Sequence, residues 1–102
     1  MDRLEREEVY RMAVACFGKL HQKIVAIEEM AELIQAICKD FRGKLNTENL
    51  TEETADVQVM LDQLKIIYGI RRDVLLAKPR KAKKLAYEII AEMDKEERHD
   101  AT

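Results

Sequence analysis

The chain has 102 residues, enough for one ordinary domain of roughly 100–150 residues and too few for two. Hydrophobic residues make up 47% and charged residues 37%, which excludes a disordered chain. With 18 Lys+Arg against 20 Asp+Glu the net charge is -2, which excludes a polycation that coats nucleic acid or an anionic membrane.

Three glycines, one proline and a composition rich in Ala, Leu, Ile, Glu and Lys predict an all-α fold, expected as one helical domain over residues 1–102. The N-terminus is charged and no run approaches ~18 apolar residues, so no membrane span is expected. Cys16 and Cys38 form no C-x-x-C pair, which signals neither zinc nor a disulfide and fits a reducing, cytoplasmic location.

Gly18, Gly43 and Gly69 punctuate four helical segments. The first runs from about residue 4 to 17, with Val9, Met12, Ala13, Cys16 and Phe17 on one side. The second, about 20 to 41, carries a seam of Leu20, Ile24, Ile27, Ala31, Ile34, Cys38 and Phe41, extended by Met30, Leu33 and Ile37. The third opens near Asn46 or at Asn49, where Asn49 with Glu52 resembles a capping box, and closes at Gly69. Its seam is Leu50, Thr54, Val57, Leu61, Leu64 and Tyr68, with a second row through Met60, Leu64 and Ile67. The fourth, about 71 to 94, is basic in its first half, and Pro79 predicts a kink or a break there. The tail 95–102 is expected to fray, and Met12, Met30, Met60, Cys16 and Cys38 are expected in the core.

Acids concentrate on the two central helices, as Glu28-Glu29-x-x-Glu32 and Glu52-Glu53-x-x-Asp56. Positions three apart share a helix face, so Glu29 with Glu32 and Glu53 with Asp56 form two carboxylate pairs. At 100° per residue Glu53 falls among Leu50, Val57 and Met60, and Asp56 lies on the arc through Met60, Gln63 and Ile67. The solvated face falls to Thr51, Gln58, Asp62 and Lys65. Acids within an apolar face need a cationic partner, either Lys/Arg or a metal. An antiparallel pairing would set Glu29 and Glu32 opposite Glu53 and Asp56, and four facing carboxylates call for divalent cations. Hard oxygen ligands without His or Cys suit Mg²⁺, with Mn²⁺ as a substitute. A di-iron bundle would need Glu-x-x-His on two helices, and only Glu96 with His99 has that spacing. Carboxylate-held Mg²⁺ suits phosphoanhydride hydrolysis, and the missing G-x-x-x-x-G-K-[ST] loop excludes a P-loop enzyme.

Phe17-Gly18, Gln22, the stretch Ala26-Ile27-Glu28-Glu29-Met30-Ala31-Glu32-Leu33-Ile34-Gln35-Ala36-Ile37, Lys39, Arg42, and Glu52-Glu53-x-Ala55-Asp56-Val57 with Leu61-Asp62-Gln63-Leu64 together resemble the short MazG-like members of the all-α nucleoside triphosphate pyrophosphohydrolases. The resemblance spans about residues 10 to 70. It implies a four-helix bundle assembled as a homo-oligomer, dimer or tetramer. It also implies Mg²⁺ on Glu29, Glu32, Glu53 and Asp56, and hydrolysis of a nucleoside triphosphate to monophosphate and pyrophosphate. Glu28 matches the first acid of the motif and is a candidate to orient water or a second ion. Beyond Gly69 the match fades, and Pro79 departs from the uninterrupted helix the family would place there.

Lys39 and Arg42 at the end of the second helix, and Lys81 and Lys84 in the basic stretch, are candidates for phosphate, and Gln22 and Gln63 for a base; solvated charge is the plain alternative for the cations. A non-enzymatic helical interaction module is the rival to the hydrolase. Nucleic-acid binding is disfavoured because no aromatic interleaves with the basic run.

Overall fold

Asp2 opens the first helix of the computed structural model, which describes residues 1–100. Its carboxylate accepts the Glu5 amide at 2.9 Å while the Glu5 side chain accepts the Asp2 amide, a reciprocal cap that satisfies two of the helix's free donors. Helix α1 (Arg3–Phe17) ends at Gly18, which also begins α2 (Lys19–Phe41) without a side-chain cap. After the turn, α3 (Thr47–Tyr68) is capped by Asn46, whose side chain accepts the Asn49 amide, so the Asn49–Glu52 alternative does not form. Gly69 ends α3 in the left-handed conformation at φ 65°, where a Cβ is costly. Helix α4 is Arg71–Asp100. The fold is all-α, with four helices and no strand among the described residues.

The chain divides into two compact units, residues 1–69 and the segment from Ile70 onward. In the first, α2 and α3 form the long pair and α1 packs on both. Its core is modest: Val14, Ala26, Ala36, Val57 and Met60 are buried, together with the polar Gln22 and Gln63. Helix α2 meets α3 through Gln22, Ala26, Glu29, Leu33 and Ala36, a row with alternating spacings of four and three, while Val57, Met60, Gln63, Leu64 and Ile67 turn inward from α3.

That row differs from the expected seam. Leu20 (72% exposed), Ile27 (64%) and Phe41 (83%) stand open, as do Ile24, Ala31 and Ile34. Ile27 and Glu29 are 200° apart on the helix wheel, so the acids and the strongest apolar row cannot face the same neighbour. Alanines at 26 and 36 let α3 approach closely, and α3 lies on their side. A similar exchange occurs on α1, where Tyr10 and Val14 turn inward and Val9, Met12, Cys16 and Phe17 are exposed. On α3, Thr54, Leu61 and Tyr68 are exposed and the second row is the more buried one; Asp62 and Lys65, expected in full solvent, are half-buried and pair at 2.8 Å. Of the sulfur residues expected inside, only Met60 is buried, with Met30 and Cys38 intermediate.

In the second unit α4 continues through Pro79 and past Asp94 to Asp100, so the chain does not break at Pro79; residues 101 and 102 lie outside the described residues. Proline removes one backbone bond, but strong helix formers surround it, Lys78 before and Arg80-Lys81-Ala82-Lys83-Lys84-Leu85 after. Helix α4 buries none of its residues.

Candidate metal centre

Antiparallel α2 and α3 place the acidic turns of both helices at one level. Glu29, Glu53 and Asp56 each offer a carboxylate oxygen, and these atoms lie within 4.8 Å of one another. Glu29 and Glu53 are half-buried, and Asp56 stands exposed at the solvent side of the group, farther out than its position on the wheel suggested. Glu32 is exposed and adjoins both Glu29 and Glu53, outside the three-membered group.

Two oxygens need a partner. Oε2 of Glu29 and Oε2 of Glu53 are buried, and neither has a hydrogen-bond partner among the described residues. The other oxygen of Glu53, Oε1, accepts from the side-chain Nδ2 of Asn49 at 3.4 Å, one turn earlier on α3. Among the described residues no Lys or Arg forms an ion pair with Glu29, Glu53 or Asp56; the nearby Lys65 is taken by Asp62. The Glu29 carboxyl is pushed above its ordinary range, first by burial and then by the charges of Glu32 and Asp56. That of Glu53 is raised by burial and by Glu32, against a lowering by Asn49. Three carboxylate oxygens this close, two of the residues with a buried oxygen and none with a paired basic side chain among the described residues, are a group that could hold a cation.

The other candidates are scattered. Glu28 is exposed on α2 beside the group, and Glu52 is exposed on α3. Lys39 is half-buried in the last turn of α2, and Arg42 is exposed just past the helix end. Lys81 and Lys84 are exposed on α4 in the second unit, where Lys84 lies 3.9 Å from Glu88. Gln22 and Gln63 are brought together: Gln22 Nε2 donates to Gln63 Oε1 at 2.7 Å, Gln63 Nε2 points to Met60 Sδ, and Gln22 Oε1 contacts His21 Nδ1 at 2.7 Å. Their amides are engaged inside the helix pair. The sequence marks Asn49 only as a helix cap, not as a partner of Glu53, and does not mark His21 at all. The signal for Asn49 was its place four residues before Glu53 on one face.

Compared with known proteins, the chain matches no family model, no curated protein and no solved structure. Among the described residues no helix is long and apolar enough to cross a membrane.

Proposed function

We propose that the chain is a Mg²⁺-dependent nucleoside triphosphate pyrophosphohydrolase, converting a triphosphate to the monophosphate and pyrophosphate. The observation that carries this is the convergence of Glu29, Glu53 and Asp56 with two buried oxygens left without a partner. The motif resemblance of residues 10 to 70 to MazG-like enzymes supports the choice of reaction. Glu29, Glu53 and Asp56 would hold the cation, with Glu32 beside them. A bound Mg²⁺ supplies charge neutralisation at phosphate oxygens and Lewis acidity toward water. The chain's own part is placement: Glu29, Glu53 and Asp56 would fix the cation at one level of the helix pair, and exposed Glu32 beside them, outside the three-membered group, is suited to accept a proton from an attacking water. Asn49 holds Glu53 in orientation through Oε1. Half-buried Lys39, on the same helix as Glu29 and Glu32, is a candidate to meet phosphate. The test is pyrophosphate release from a panel of canonical and modified triphosphates with Mg²⁺, with and without chelator.

The working unit in this reading is at least a homodimer. Leu20, Ile24, Ile27, Ile34 and Phe41 form one exposed row on a single helix, and a stable interface needs about 800 Å² from each partner with such residues at its centre. A second copy offers the same row across a twofold axis. The same exposure, together with exposed Asp56, is what favours the alternative, a non-enzymatic interaction module. Absence of turnover on every triphosphate, with a stable complex to another protein through this row, would select that alternative.

A further inference from the structure

Gln22 and Gln63 are 5% and 4% exposed, the two buried polar side chains among the described residues, and they bond to each other across the α2–α3 interface. We infer that this pair sets the register of α2 against α3 and thereby aligns the carboxylates; Gln22 and Gln63 are positioning residues.

Gln22 lies seven residues before Glu29, and Gln63 lies seven residues after Asp56. In antiparallel helices equal offsets put the two pairs in one frame, about 10 Å apart along the axis. Continuing three residues in the same direction reaches Glu32 on α2 and Glu53 on α3, which interact. Holding one pair level therefore holds all three.

The apolar contacts of the interface by themselves resist sliding little. Ala26 and Ala36 present small, nearly featureless surfaces, and Met60 is a flexible thioether that adapts to its surroundings. A slip of half a heptad, about 5 Å, would set Asp56 against Ala26 or Leu33. It would also bring Met60 or Ile67 opposite Gln22, leaving two buried amides without their bond. A buried, mutually bonded polar pair in a helix seam is a device by which helix pairs select one register. His21 continues the pair to the surface through its contact with Gln22 Oε1.

The inference rests on the metal-centre reading only in its second readout. Replace both side chains by the unbranched apolar isostere, Gln22→Met/Gln63→Met, with Gln22→Leu/Gln63→Leu taken in its place if the methionine pair does not fold. Place nitroxide labels at the exposed positions Gln35→Cys and Gln58→Cys in a Cys16→Ser/Cys38→Ser background, diluted into unlabelled protein. The parent should give one narrow interlabel distance by pulsed electron paramagnetic resonance. The double variant should give a distribution broadened or shifted by about 5 Å, with a metal-free unfolding temperature equal to or above the parent's. Titrated with Mn²⁺ alone, it should bind at least about tenfold more weakly than the parent. An unchanged distance together with Mn²⁺ affinity within about twofold of the parent overturns the inference. A shifted distance in a protein whose parent binds no Mn²⁺ keeps the register role and removes the metal reading instead.

Discussion

Glu29 on α2 and Glu53 on α3 each turn one oxygen, Oε2, into a buried space that offers it no partner among the described residues. Both carboxyls consequently titrate above their ordinary value, mainly through burial and next through neighbouring acids. The folded chain keeps protons on them that the unfolded chain releases, so stability falls as pH rises from about 4.5 through the raised values, and the deficit persists above them.

Thermal unfolding of the metal-free protein should therefore shift to higher temperature on acidification from neutral pH toward 4.5. Glu29→Gln and Glu53→Gln should each flatten that dependence and hold or raise the neutral-pH midpoint, since each removes a charge that burial and neighbouring acids disfavour. A large loss of stability in both variants would mark the acids as partners in a structural ion pair.

Metal should reverse the destabilisation. Mg²⁺ or Mn²⁺ should raise the unfolding temperature of the wild-type chain near neutral pH, progressively less as the medium is acidified and protons compete for the same oxygens. Calorimetric titration at two pH values checks the direction.

Turnover should separate the acids by position. Pyrophosphate release should stop in excess chelator and return with Mg²⁺. Glu53→Gln and Asp56→Asn should lower the rate by more than the roughly 10–100-fold that loss of a supporting partner costs, whereas exposed Glu52→Gln should stay active. Full activity in chelator, or an inactive Glu52→Gln beside an active Glu53→Gln, would rule out this site.

The exposed row on α2 should hold two copies together. Ile27→Glu or Ile34→Glu, each at an open position far round the helix from the acids' inward side, should lower the mass seen by light scattering at micromolar concentration. A wild-type chain that is monomeric and fully active would contradict the assembly.

Helix α4 should gain from losing its proline. Pro79→Ala restores one backbone bond in a helix interior, where proline is disfavoured by about 3 kcal/mol relative to alanine. Circular dichroism at 222 nm should deepen.

Helix identity was legible from local chemistry. The glycines at 18 and 69 end helices because a residue without Cβ meets little penalty at positive φ, and Glu29 with Glu32, like Glu53 with Asp56, shares a face because three and four residues make about one turn. That an antiparallel neighbour would bring Glu29 and Glu32 opposite Glu53 and Asp56 was legible as well, while the particular levels, Glu29 with Asp56 and Glu32 with Glu53, come from the fold. Which face of α2 meets α3 was decided only by tertiary packing. Leu20, Ile24, Ile27 and Ile34 made the stronger periodic signal, yet Ala26, Ala36 and the bonded Gln22–Gln63 pair took the inner position. Periodicity measures how much apolar surface a face carries, whereas packing also depends on how closely two backbones can approach and whether buried amides find each other. Pro79 shows the same division: its missing donor was visible in the sequence, but the balance between one lost bond and the helix formers on either side was settled in the folded helix.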